Sequence, residues 1–153
     1  MHIFTLRYDF SQQFDVPPRV AFEWCTDYRE NDFSLMGMKG KRQVRKVSNA
    51  VIILTDIIYA NEKSTTKTKL VRLDAKKLFW SNTHLAGPNE HSQFLYQIIP
   101  VGQKSKLEFT GLQVNYSKTK VSQKEIKLIQ KEARKEDSAI WKKLSQKMNE
   151  DLN

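Results

Sequence analysis

Cysteine occurs once in this chain, at Cys25, so no disulfide can close within it and a multi-cysteine zinc site is excluded. Cys25 ends the apolar stretch Ala21-Phe22-Glu23-Trp24-Cys25, has no histidine near it in sequence, and reads as a small packed hydrophobe rather than an activated nucleophile. Long hydrophobic runs are also missing. The longest is Val51 to Leu54, with Ile57 to Ala60 beyond Thr55 and Asp56, far short of the ~18 residues a membrane span needs. The first residues, Met1-His2-Ile3-Phe4-Thr5-Leu6-Arg7, lack the basic and apolar regions of a signal peptide, so the expected location is cytoplasmic. Glycine is scarce, and neither GxGxxG nor GxxxxGK[ST] occurs; HExxH and a recognisable Ser-His-Asp set are absent too. No cofactor and no metal is therefore expected. Gly37-Met38-Lys39-Gly40-Lys41 carries two glycines and reads as a turn or gate rather than a phosphate clasp.

What is present describes one domain spanning residues 1–153, long enough to bury a core without staples. Apolar residues make up 39% and charged residues 28%, a globular balance rather than a disordered one. The formal charge of +9 permits attraction to an anionic membrane surface or an acidic ligand. Nucleic acid is a poor candidate, because lysine outnumbers arginine and is scattered from Lys39 to Lys147 rather than clustered with aromatics on one element. Oligomeric state leaves no mark on the sequence.

Hydrophobic periodicity orders the chain. Phe4, Leu6, Tyr8 and Phe10 share one parity and Thr5, Arg7, Asp9 and Ser11 the other, which predicts a half-buried strand. Asp15-Val16-Pro17-Pro18 breaks it, and proline suits the first turn of the short helix expected over Arg19 to Cys25. Asn31 or Asp32 is placed to cap a second short helix running to Met36. Six strands are then predicted, at about 41–48, 51–60, 63–74, 77–86, 91–100 and 104–116, separated by polar or turn-forming breaks such as Asn61-Glu62 and Gly87-Pro88-Asn89. In the last, the apolar parity switches at Gly111, from Leu107 and Phe109 to Leu112, Val114 and Tyr116, which predicts a bulge there. From Ser122 the period becomes helical. Ile126, Ile129, Ala133, Ile140, Leu144 and Met148 form a stripe, and Ser122 with Glu125 fits a capping box. A helix of ~28 residues, roughly 40 Å long, must lie across the sheet.

This order resembles the START-like superfamily, also called SRPBCC, which includes the birch pollen allergen, lipid-transfer domains and polyketide cyclase/dehydrase-like proteins. The resemblance covers nearly the whole chain. It rests on Phe14-Asp15-Val16-Pro17-Pro18-Arg19-Val20-Ala21-Phe22-Glu23-Trp24 with Thr26-Asp27-Tyr28, on Tyr96 to Gly102 followed by Ser105 to Phe109, and on Trp141, Leu144 and Asp151-Leu152 in the closing helix. It implies an α+β helix-grip fold: a seven-stranded curved antiparallel sheet, in the order β-α-α-β6-α, wrapped around the C-terminal helix and enclosing a hydrophobic cavity. Members bind lipids, sterols, polyketides or quinones, and only some are enzymes, so the fold does not fix a function.

Asp137 is the most informative polar residue, lying about 20° from Ile126 and Leu144 on a helical wheel and hence inside the apolar stripe. A carboxylate there needs a partner or a raised pKa, whether its role is to orient a ligand, to exchange protons or only to bond the sheet. Gln130 borders the same stripe. Trp80, Asn82 and His84 share one parity of their strand, but the inward face of that strand stays open. His84 and His91 flank the Gly87-Pro88 turn and, with Glu90, form a weak metal candidate beside the plainer reading of exposed turn histidines. Asp56 shares parity with Ile52, Leu54 and Ile58, and an outward position is expected for it, because Val51, Ile53, Ile57 and Tyr59 offer an alternative inner face.

Three functions stay open. The first is binding or transport of a small hydrophobic ligand, such as a lipid, quinone or polyketide-like molecule, with Trp24, Met36, Tyr59, Trp80, His84, Phe109, Gln130, Asp137 and Trp141 as candidate contacts and a mouth near Met36, Met38 and the Gly87 loop. The second is a cyclase or dehydratase in which Asp137 trades protons, helped by His84 or Tyr59. The third is an interaction protein that uses its basic surface.

Overall fold

The computed structural model describes residues 1–152. Strand β1 (His2–Phe14) extends the predicted alternation in both directions, burying Leu6, Tyr8, Phe10 and Phe14 on one face. Helix α1 (Pro18–Thr26) begins on the second of two prolines, whose missing N–H costs nothing in a first turn, and buries Ala21 and Phe22. Helix α2 (Asp32–Leu35) is a single turn that seats Phe33 in the core. Strands β2 (Gly40–Lys46), β3 (Val51–Ala60), β4 (Lys63–Asp74), β5 (Phe79–Ala86), β6 (Gln93–Val101) and β7 (Lys104–Ser117) follow, and helix α3 (Gln123–Leu152) closes the chain.

The strands form one antiparallel seven-stranded sheet in the order β1-β7-β6-β5-β4-β3-β2, so the chain's first strand returns beside its last. Local turns set most of the register. At the β3–β4 turn, Asn61 and Glu62 both adopt positive φ, the geometry of a two-residue hairpin that matches strand twist.

Two sequence expectations change here. Gly111 is not a bulge, since β7 pairs with β1 and β6 in unbroken register on both sides of it. Gly111 faces inward, where an added Cβ would stand 3.1 Å from the Phe109 and Tyr8 rings and 3.2 Å from Phe94. The parity switch reflects a change of surroundings, because beyond Gly111 the inward face opens onto the cavity and accepts Gln113, while Leu112 is exposed on the outer face. The bulge lies instead between β4 and β5. Lys69 pairs with His84 and Thr68 with Ala86, leaving Leu85 as the extra residue.

Asp56 is the second. It is fully buried on the concave face beside Ile52 and Leu54, not outward. Its cross-strand neighbours explain the placement. Arg42 on β2 and Lys67 on β4 lie directly opposite, and Lys69 is one step further along the same face.

Helix α3 starts where Ser122 Oγ accepts the Glu125 N–H at 3.2 Å, the first half of the expected capping box. It lies across the concave side of the sheet. Arg134 Nε donates to Asp9 O and Ser145 Oγ to Gln13 O, each at 2.8 Å, which fixes the helix along β1. Its C-terminal half sits deepest, with Met148 fully buried. Ile126, Ala133 and Trp141 pack against the core, but Ile129 is 37% exposed and leaves the predicted stripe. The helix follows β1 and leaves space between itself and β4 and β5, and that gap holds the site.

Candidate functional site

Between α3, the α1–α2 segment and the concave sheet lies a cavity of about 290 Å³. Its upper wall is apolar. Trp24 from α1 and Phe33, Leu35, Met36 and Met38 from the α2 region face Ala133, Ile140, Trp141 and Leu144 from α3. The floor is aromatic, formed by Tyr8, Phe94, Tyr96 and Phe109, whose rings touch one another at centroid distances of 5.3–5.9 Å. At the rim stand the exposed Asp27–Arg29 pair (2.6 Å) and Glu136. The opening thus lies between α2 and α3.

One side of the cavity is polar, and cross-strand pairing builds it. Arg42 binds Asp56 through two parallel bonds of 2.8 and 2.9 Å and Asp32 through a third of 2.7 Å. Lys69 Nζ adds 2.8 Å to Asp56 Oδ2. Two acids and two cations therefore balance in a buried chain. Burial alone would raise the Asp56 pKa, but Arg42 and Lys69 outweigh it and hold the carboxyl below its usual range. The Arg42 guanidinium also sits 5.1 Å from the Phe33 ring centre and 5.6 Å from that of Tyr28, a cation held between two rings.

Beyond that chain, β5 turns Trp80, Asn82 and His84 inward, which answers the question the sequence leaves open about this strand. Asn82 and His84 are buried and line the cavity, yet Asn82 Oδ1 and His84 Nδ1 have no hydrogen-bonding partner. Burial, then the charges of Lys69 and Lys67, push the His84 pKa down to about 3, so the imidazole is neutral at physiological pH. His91 is exposed in the turn, so the two histidines do not converge. Among the described residues no group of three or more His, Cys, Asp or Glu side chains is arranged to hold a metal ion.

On the opposite wall, Asp137 faces the cavity from α3 and accepts a 2.5 Å hydrogen bond from the Tyr8 hydroxyl. Burial raises the Asp137 pKa more than the Tyr8 bond and the lysines lower it. Tyr8 itself is pushed up by burial and by Asp137, so it remains a phenol and a donor. Cys25 also lines the cavity, and burial keeps it a thiol.

No protein-family model matches the sequence, and none of the curated proteins does. Solved structures do match the whole fold. TTHA0849 from Thermus thermophilus superposes with a TM-score of 0.78 at 15% identity, covering 98% of this chain and all of that one. Zhui aromatase/cyclase from Streptomyces sp. R1128 gives 0.73 at 9% identity, covering 99% and 97%. Ara h 8.0201 gives 0.71 at 11%, covering 96% and 98%. The shared fold is the helix-grip fold, a seven-stranded curved antiparallel sheet around a long C-terminal helix.

Within this helix-grip fold the candidate contacts divide. Trp24, Met36, His84, Phe109, Asp137 and Trp141 line the cavity together. Trp80 does not line it. It is fully buried beneath the floor, stacked on Tyr96 at 4.8 Å and 2°, where it supports the ring that does. The Trp80 indole N–H has no hydrogen bond of good geometry, although the Tyr28 hydroxyl lies close enough to be influenced by it. Tyr59 and Gln130 are outside the lining, as is the Gly87 turn. Tyr59 falls on the convex face and is 43% exposed, because the inward parity of β3 belongs to Asp56. The sequence does not single out Tyr8, Arg42, Lys67 or Lys69 as site residues, and it names Asn82 only through its shared parity with Trp80 and His84. Pairing strands across the Asn61-Glu62 turn would have found Lys67 opposite Asp56.

Proposed function

We propose that the chain binds or carries a small hydrophobic ligand in this cavity, a molecule of the lipid, quinone or polyketide-like class. The observation that supports it is the enclosed space itself, walled by aromatic, methionine and leucine side chains beneath a mouth between α2 and α3. Apolar burial would supply most of the affinity at roughly 25 cal/mol per Å² of area removed from water. Met36 and Met38 can adapt to ligands of differing shape. Native mass spectrometry of freshly purified protein, followed by solvent extraction, tests the reading. A stoichiometric adduct, or saturable uptake of 2-naphthalenemethanol by the extracted protein, supports it. Absence of both rejects it.

The Tyr8–Asp137 pair favours a second reading, an enzyme of the cyclase or dehydratase kind. A carboxyl whose pKa is raised by burial, touching a phenol and open to the cavity, can exchange a proton with a ligand carbonyl or hydroxyl. Tyr8 takes the helper position that the sequence reading gave to Tyr59. Asp137→Asn keeps an acceptor for Tyr8 and removes the proton, so under this reading it abolishes turnover while ligand binding persists. Unchanged turnover in that variant removes Asp137 as the acid.

A further inference from the structure

The charges around the cavity pair off unevenly. Arg42 and Lys69 are answered by Asp32 and Asp56. Lys67 lines the cavity beside them, yet among the described residues it has neither an ion-pair nor a hydrogen-bonding partner. It is half-buried, and burial and then Lys69 lower its pKa more than the carboxylates of Asp137 and Asp56 raise it, neither of them in direct contact with it. Asp137 faces it from the opposite wall, and its carboxyl is engaged by Tyr8. The nearest polar groups on the sheet side are also unpartnered. His84 is 6% exposed and Asn82 8% exposed, both lie on the cavity face, and His84 Nδ1 and Asn82 Oδ1 make no hydrogen bond. Buried polar atoms are nearly always bonded, so two such orphans beside a lone ammonium mark a place where a ligand's polar group belongs.

The strand pairing shows how these three converge. Lys69 stands opposite His84 and Val71 opposite Asn82, and Lys67 follows Lys69 on the same inward face of β4, beyond the bulge. The bulge at Leu85 sits at this point and bends β5 beside His84. At His84 the charges of Lys69 and Lys67 outweigh that of Asp56.

We propose that the occupant is an amphipathic acid: an apolar, ring-containing body against Trp24, Phe109 and Trp141, with a single anionic head such as a carboxylate on Lys67 and within reach of His84. Neutral His84 carries one N–H and can donate to that head, and Asn82 can donate to it only through Nδ2, because its Oδ1 is an acceptor like the carboxylate. The charge-assisted bond to Lys67 would discriminate acids from neutral analogues of the same shape. This rests on the ligand-binding reading above and names the class of ligand.

Three probes of nearly equal shape test it by calorimetric titration: 2-naphthoate, 2-naphthalenemethanol and 2-naphthylmethylammonium. The expected result is at least tenfold tighter binding of naphthoate than of the alcohol, with the ammonium weakest. Lys67→Met should bring naphthoate to within about twofold of the alcohol by weakening the acid. His84→Gln, a second variant checked for cooperative melting, should weaken naphthoate severalfold more than the alcohol. Equal binding of acid and alcohol by the native chain overturns the proposal and leaves the cavity reading standing. So does a preference that survives Lys67→Met, or tightest binding of the ammonium. Failure of all three probes at millimolar concentration on extracted, folded protein overturns both.

Discussion

Arg42 shows how one side chain can hold a site together. It reaches two carboxylates and lies between two aromatic rings, while Asp56 beneath it is fully buried. Removing the arginine strands a buried carboxylate with Lys69 alone. Arg42→Met is therefore expected to cost about 3–5 kcal/mol, the range for breaking one side of a buried ion pair. Urea unfolding checks this, and a loss under about 1 kcal/mol would show that the network contributes little to stability. His84 makes a prediction of opposite chemistry. Its folded pKa is about 3 against an ordinary 6.5, so between those values the unfolded chain binds the proton and the folded chain does not. Stability should then fall as pH drops below 6.5, by about 2 kcal/mol between pH 7 and 5 at ~1.4 kcal/mol per unit. Asp56, held low, adds a loss only below its ordinary 3.8, whereas Asp137, held high, opposes the trend by favouring the folded state on acidification. His84→Gln should flatten the profile between pH 7 and 5. An unchanged slope would place the titration elsewhere. Asp56 also shows where a single sequence stops being readable. Its parity was visible, but its direction depended on charges supplied by two other strands.

Elements were more legible than residues because each follows a local rule. The period-two stretch of β1, the proline at the start of α1, the turn breaks between strands and the helical stripe after Ser122 all place their elements within a few residues. What local rules could not reveal was surroundings. Gly111 looked like a bulge because the apolar residues change parity, whereas the backbone continues and only the environment of its inner face changes. The real bulge at Leu85 carries no glycine and left no mark. Helix α3 is likewise uneven in a way its regular stripe hides. Ile129 of that stripe is 37% exposed near its start, while Met148 is fully buried near its end. Hydrogen exchange should reflect this. Amides around 126–131 should exchange well before those around 141–148, which should open only with global unfolding. Uniform protection along the helix would contradict the graded packing.

At the scale of the molecule, a sheet that curls around one helix cannot fill all the space it encloses. Here the unfilled part lies where α3 stands away from β4 and β5 and where the inner face changes from aromatic to charged. The resemblance noted in the sequence anticipated a cavity, but its polar side depends on register and could not be placed from one chain. Close packing is worth several kcal/mol to a core, so an open space in an otherwise filled interior is a stability penalty that filling can relieve. Ala133, on the cavity side of α3, provides the test. Ala133→Phe projects a ring into open space rather than into packed atoms, and is expected to change stability by less than about 1.5 kcal/mol, unlike overpacking of a filled core. The same ring occupies the volume a ligand would need, so probe affinity should fall more than tenfold. Paired thermal melts and titrations separate the two effects. If the variant instead unfolds readily, that region of the interior is already closed; if it remains stable and binds as before, the ligand does not use the space beneath α3.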